Sequence, residues 1–260
     1  MTGHIRMPGL LEGKLALVLG IANKWSLAYA IAQAFSREGA RLVLTYLGEH
    51  QKEAIESLAE GLTVDRILPC DVTKEEDLAG LSGGLDGKTL DAVVHSLAFA
   101  NREDLARPFV ETSRSGFLLA QEVSAYSLVA VARATAPHMS GGGSLTTLTY
   151  LGSSRVIPNY NVMGVAKASL EASVRYLAND LGPSKIRVNA ISAGPVKTAS
   201  ARGIKDFSGV LDTVSKRAPL RRNTDPAEVA DTAVFLASAL GRGVTGNVLF
   251  VDSGLQIMGL

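Results

Sequence analysis

LALVLGIANKWSLAYAIAQAFSRE, residues 15–38, carries three signals in succession. Leu15-Ala16-Leu17-Val18-Leu19 is a short continuous apolar run, of the kind a parallel sheet buries on both faces. Gly20 ends it, and an amphipathic helix is expected over Leu27–Glu38. Strand, glycine turn and helix together place a helix N-terminus, with its free N–H groups, where a phosphate can sit. The spacing is not G-x-G-x-x-G: Gly20 is followed by Ser26, whose hydroxyl would stand in for a glycine N–H. A plain tight turn is the other reading of Gly20.

The same alternation continues along the chain. Arg41–Tyr46 reads as the second strand, and at its end a chain that binds NAD usually carries a carboxylate for the ribose 2′-hydroxyl. Leu47-Gly48-Glu49 stands there without Arg or Lys. Glu49 would repel a 2′-phosphate, so a bound dinucleotide is expected to be NADH rather than NADPH. A helix over Gln51–Glu60 and a strand over Val64–Leu68 lead to Cys70-Asp71-Val72. Asp71 is placed to accept from an adenine amino group or to cap the next helix, and the two roles are compatible.

Leu90–Ser96 is the fourth strand, and the small residues Leu97-Ala98-Phe99-Ala100 leave its C-terminal end, where ligands of open parallel sheets lie. His95 reads as a hydrogen-bonded core residue, because no second ligand is near it. A long helix over Ser115–His138 is apolar on more than one face, which points to a partner subunit. Further strands are expected at Ser144–Tyr150, Ile186–Ile191 and Val248–Asp252, with a Pro-started helix from Asp225 to Leu240. Residues of about 197–222 read as a mobile substrate flap with Phe207 and Leu211 as its apolar points. The sum is an α/β fold: a Rossmann-like, doubly wound, seven-stranded parallel sheet with helices on both faces. Residues 13–260 form one catalytic domain behind a loose tail, residues 1–12.

Composition narrows the classes. The 260 residues are 47% hydrophobic and 20% charged, with 26 glycines for tight turns. A net charge of +1 without blocks of like charge argues against nucleic acid or a membrane surface as main partner. No apolar run approaches the roughly 20 residues of a membrane span. One cysteine, Cys70, cannot form an internal disulfide and reads as a buried thiol, which suits the cytoplasm. No cluster of metal ligands is apparent, and no metal is expected.

The chemistry concentrates in Tyr150–Lys167, a strand end, a Gly-Ser-Ser loop and a helix expected to begin near Pro158. Seven helical positions make about 10.5 Å of rise and a deviation of about 20° from one face, so Tyr160 and Lys167 are expected to share a site. An ammonium beside a phenol would favour its phenolate. A core tyrosine with a solvated lysine is the plainer alternative.

Together these residues resemble the short-chain dehydrogenase/reductase superfamily, and within it the NADH-dependent enoyl-acyl-carrier-protein reductases of bacterial type II fatty acid synthesis. The likeness runs from Leu11 to the C-terminus. It rests on Gly20-x5-Ser26-Leu27-Ala28, Cys70-Asp71-Val72, His95–Ala100, Tyr150-x9-Tyr160-x6-Lys167 and Asn189–Pro195. Most of the superfamily carries Tyr-x3-Lys, which no tyrosine here provides.

The resemblance implies a homotetramer whose substrate is an enoyl thioester carried on acyl carrier protein. It implies that Tyr160 hydrogen-bonds or protonates the thioester oxygen, that Lys167 holds the nicotinamide ribose, and that Tyr150 lines the site where ketoreductases carry a serine. Gly20, Ser26, Leu27, Asp71, Val72, Leu97, Val196, Lys197, Thr198, Ala199 and Ser200 would contact the cofactor. Phe99, Ala100, Met163 and Phe207 would form the acyl pocket. Related enzymes place basic residues just after the flap's Lys-Asp-Phe, whereas Lys205-Asp206-Phe207 is followed here by Ser208-Gly209. That leaves the carrier-docking surface open. Two other classes stay in view: a carbonyl or 3-ketoacyl reductase on the same scaffold, and a non-catalytic nucleotide-sensing regulator.

Overall fold

Seven strands, all parallel to their neighbours, lie in the order 3-2-1-4-5-6-7. The computed structural model describes residues 8–198 and 207–259. In chain order the elements are β1 (Leu15–Leu19), α1 (Leu27–Arg37), β2 (Arg41–Tyr46), α2 (Glu49–Ala59), β3 (Val64–Pro69), α3 (Glu75–Gly84), β4 (Ala92–His95) and the short α4 (Arg102–Ala106). Then come α5 (Arg114–Gln121), a π-helical turn (Glu122–Tyr126), α6 (Ser127–Thr135), β5 (Gly143–Thr149) and α7 (Asn161–Leu181). The fold closes with β6 (Ile186–Ala193), α8 (Phe207–Arg217), α9 (Pro226–Ala237) and β7 (Val248–Val251).

Two apolar layers hold this sheet. Ala16 and Val18 of β1 point to a cluster with Ile31 and Phe35 of α1 and Val229 and Val234 of α9. Leu15, Leu17 and Leu19 point the other way, onto Leu81 of α3, Leu128 of α6 and Leu170 of α7. That division is the two-residue period of a strand, and it explains why β1 is buried at all five positions. Each fully buried Leu or Val contributes about 1.5–3 kcal/mol, so a charge at Leu17 would break the sheet. Strand order reverses between β1 and β4, and there a parallel sheet opens a cleft at its carboxyl edge.

Several expectations need correction. Residues 8–12 are not loose: Leu11 is buried, and its N–H bonds the Glu38 carbonyl at 3.0 Å at the end of α1. Part of the expected flap is the helix α8, because Leu211, Val214 and Ala218 recur at helical spacing and are buried. The long helix is interrupted earlier than Pro137, by the π turn at Glu122–Tyr126. By length and composition the stretch Arg114–His138 is also apolar enough to cross a bilayer, contrary to the sequence reading. Here Leu128 and Val131 pack it onto the sheet's core. Finally, α7 starts at Asn161, so Tyr160 precedes the helix instead of lying in its early turns.

Candidate active site

A cleft of about 530 Å³ opens beyond the carboxyl ends of β1 and β4, which stay paired up to Leu19 and His95. Gly20, Ser26, Leu27, Asp71, Val72, Leu97, Phe99, Tyr150, Tyr160, Lys167 and Thr198 all line it. Residues widely separated in the chain thus meet because each follows the carboxyl end of a strand or opens the helix after it.

At one end of the cleft lies the first βα turn. Gly20 has φ +95°, and a Cβ there would stand 2.0 Å from the Ser96 carbonyl oxygen, so β1 and β4 can end side by side only with glycine. Ser26 takes the N-cap position of α1 in extended geometry, but its hydroxyl donates to the Asn23 carbonyl at 2.7 Å and caps nothing. The positive end of α1 therefore has no side-chain cap and faces the cleft. Further along, Asp71 accepts from the Thr73 N–H and hydroxyl, at 3.0 and 2.7 Å. The N-cap of α3 is Lys74, so the capping role expected of Asp71 is not realised; the nearer Thr73 takes its carboxylate. At the end of β2 the Tyr46 hydroxyl donates to Glu49 at 2.9 Å.

The other end of the cleft is built by β5 and α7. The Tyr150 and Tyr160 rings meet edge to face, with centroids 5.0 Å apart. Lys167 is 5% exposed and donates from Nζ to the Leu148 carbonyl at 2.8 Å. Burial lowers its pKa to about 8, against the pull of Glu171, whose carboxylate accepts from Thr149 at 2.7 Å. Burial raises the Tyr160 pKa, with Tyr150 and Glu171 adding to the effect. Tyr150 is likewise pushed up to about 12, chiefly by burial. The expected phenolate is therefore not favoured: burial, Tyr150 and Glu171 all act to keep the Tyr160 hydroxyl protonated. Behind them His95 is fully enclosed, bonded to Thr147 Oγ1 at 2.9 Å and Ser127 Oγ at 2.8 Å. Burial first and the Lys167 charge second lower its pKa to about 3, so it stays neutral, in keeping with a core residue.

Other expected site residues lie elsewhere. Ala100 and Met163 do not line the cleft; they pack with Leu105, Ala120, Val162 and Ala166 in a small apolar cluster beside Tyr160. Val196 and Lys197 face a neighbouring depression of about 710 Å³ between α1 and α9. Ala199, Ser200 and the side chain of Phe207 are outside the described residues.

The sequence reading missed three supports. Gly152 packs directly on the Tyr160 ring. Ser124, in the π turn, clasps Phe99: its Oγ accepts from the Phe99 N–H at 2.9 Å and donates to the Phe99 carbonyl at 3.1 Å. Asn161 binds two carbonyls of the α4 segment. Only the Gly-Ser-Ser loop and the Asn-Tyr-Asn triplet signalled any of this, as turn chemistry. Among the described residues no group of three or more potential ligands could hold a metal ion.

An uncapped helix N-terminus, a side-chain-free turn at Gly20 and a buried ammonium suit a dinucleotide: phosphate at the first, ribose hydroxyls at the last. Comparison with known proteins agrees with that geometry. The family model described as enoyl-(acyl carrier protein) reductase matches residues 20–256. The chain is 54% identical to the enoyl-(acyl-carrier-protein) reductase (NADH) FabI of Bacillus cereus, over 96% of this chain and 99% of that one. It is 50% identical to the NADPH-designated FabI of Staphylococcus aureus strain MRSA252, over 95% and 98%. The crystal structure of the Bacillus cereus reductase with NADP+ and indole naphthyridinone superposes with a TM-score of 0.95 at 54% identity, covering 97% of this chain and 100% of that one.

Proposed function

The chain belongs to the enoyl-(acyl carrier protein) reductase family, and on that premise we propose that it reduces trans-2-enoyl thioesters on acyl carrier protein with NADH, closing the fatty acid elongation cycle. The observation that carries the assignment is the meeting of Tyr150, Tyr160 and Lys167 at one end of a cleft whose other end is the α1 N-terminus. When bound, the reduced nicotinamide supplies a hydride to the β-carbon of the enoyl chain.

What the protein's own groups do follows from their surroundings. Negative charge develops on the thioester oxygen, and the Tyr160 hydroxyl donates to it there. Its raised pKa keeps the proton in place until that charge appears. Lys167 commits one N–H to Leu148 and retains two more for the ribose hydroxyls. Tyr150 holds the Tyr160 ring by its edge contact and walls off the thioester side. Ser26 gives its own N–H to the Asn23 carbonyl at 3.1 Å, so the N–H groups that would meet the pyrophosphate are those of Leu27 and the Gly20 turn, with Ser26 beside them. Asp71 and Val72 would adjoin the adenine. Phe99 adds an apolar wall for the acyl chain.

The choice of NADH rests on Glu49, held at the end of β2 by Tyr46. A homotetramer working in the cytoplasm completes the proposal. It is supported by the exposed apolar side chains Leu118, Tyr126, Val165 and Tyr176 on the α5–α7 face and Phe250, Ile257 and Met258 near the C-terminus. The buried thiol of Cys70 is in keeping with a reducing compartment.

The test is NADH consumption by purified protein with paired substrates. Oxidation on adding a crotonyl thioester, with none on an acetoacetyl thioester, is the expected result. The opposite preference would assign the protein to ketone reduction, and silence with both would favour a nucleotide sensor.

A further inference from the structure

Tyr160 stands between two asparagines whose backbones are left-handed, with φ 60° at Asn159 and 35° at Asn161. Side-chain-bearing residues seldom adopt this region, and asparagine is among those that tolerate it. Tyr160 itself is right-handed, at φ −104° and ψ −28°. The chain therefore reverses its handedness twice within three residues, and the phenol leaves at an angle that a continuous helix would not give.

Asn161 does more than turn the chain. Its Nδ2 donates to the Leu105 carbonyl at 3.0 Å and to the Arg107 carbonyl at 2.7 Å. Both carbonyls sit at the C-terminal end of α4, where a helix leaves acceptors it cannot satisfy. One NH2 group carries two hydrogens, so a single carboxamide serves both. At its other end α4 begins three residues beyond Phe99, which walls the cleft. Beneath, Leu105 packs with Val162, Met163 and Ala166, and Tyr160 lies against them.

We propose that Asn161 is a positioning residue: its amide clamps α4 to the residue next to the phenol and so fixes Tyr160 relative to the wall that carries Phe99. The inference rests on the reading of Tyr160 as donor to the thioester oxygen. It distinguishes the side chains that could replace Asn161. Aspartate has the same shape but turns acceptors toward two carbonyl oxygens. Glycine keeps the backbone conformation and removes the clamp.

Asn161→Asp and Asn161→Gly, each made in the full chain, test it by hydrogen–deuterium exchange, NADH binding and reduction of crotonyl pantetheine thioester. Exchange across residues 102–110 is expected to quicken by about tenfold in both, and kcat to fall by about tenfold. The Kd for NADH is expected to stay within about twofold. In Asn161→Asp the loss of kcat should shrink as pH falls toward the carboxylate range, because the protonated acid regains one donor. Asn161→Gly should show no such recovery, and a purely structural defect would not separate the two profiles. Unchanged exchange across 102–110 in both variants would overturn the clamp, as would full kcat in a variant whose exchange has quickened. Exchange is read without substrate, so a wild type inert toward crotonyl thioester would count against the reductase reading while the clamp is still decided.

Discussion

Gly152 and Tyr160 share one surface: a Cβ at Gly152 would lie 2.4 Å from Cδ1 of the Tyr160 ring and 2.8 Å from Cε1. The turn Leu151–Ser153 can press on the ring only because nothing projects from its middle residue. Gly152 does not need a positive φ, so contact alone excludes a side chain there. Gly152→Ala is therefore expected to lower stability by about 1–3 kcal/mol and to move the phenol. A thermal melt read beside kcat checks this, and a variant with wild-type values for both would show that the ring has room to shift.

Tyr160 and Lys167 should fail in different ways. On the proposed mechanism Tyr160→Phe removes a hydrogen bond to a charged oxygen, which corresponds to about 1.5–3 kcal/mol, or roughly 10- to 150-fold in turnover. NADH binding should be retained. Lys167→Met should instead weaken NADH binding, measured by quenching or calorimetry. A Lys167→Met protein that bound NADH normally would remove the ribose role.

The buried ammonium also predicts a pH dependence of stability. Lys167 has a folded pKa of about 8, below its ordinary 10.5, because burial disfavours the charge. Between those values the unfolded chain binds more protons than the folded one, so stability rises with pH across that window. Below about 8 the whole cost of the buried charge remains. Unfolding by denaturant at about pH 7 and about pH 10, for wild type and Lys167→Met, isolates the effect. The wild type should gain on the variant at the higher pH, and parallel behaviour would contradict the assignment.

The proposed cofactor choice makes one carboxylate the residue to test. Glu49 accepts from Tyr46 at the end of β2, and on the proposed reading its charge would oppose a 2′-phosphate. Repulsion between two solvated charges in contact is on the order of 1 kcal/mol, so Glu49→Gln should improve kcat/KM for NADPH by roughly fivefold, with little change for NADH. Equal use of both cofactors by the wild type would show that Glu49 does not face the ribose.

The strands β1 and β2 were legible because their cores are apolar runs. They fall on Leu15–Leu19 and Arg41–Tyr46 as the sequence suggests, since all of β1 and every residue of β2 after the exposed Arg41 are buried in a sheet covered on both sides. The convergence of Tyr160 with Lys167 was also foreseeable, but for an incomplete reason. Spacing assumed one helix through both residues, whereas Tyr160 is carried by a turn that two left-handed asparagines create. Such a turn depends on partners far along the chain, the carbonyls of Leu105 and Arg107, and no local pattern reveals them. The helix α8 was hidden differently: Gly209 and the polar residues around Leu211 and Val214 resemble loop composition until their spacing is weighed. Proton affinities were the least accessible, because the enclosure that raises Tyr160 and lowers Lys167 exists only after folding.

Ser124 has one consequence for molecules meant to occupy this cleft. Its hydroxyl already takes the amide hydrogen of Phe99 and gives its own to the same residue's oxygen. An inhibitor placed there finds no free main-chain donor at that position and gains from Phe99 mainly the ring. Its polar anchors belong instead beside the hydroxyl of Tyr160, which lines the same cleft.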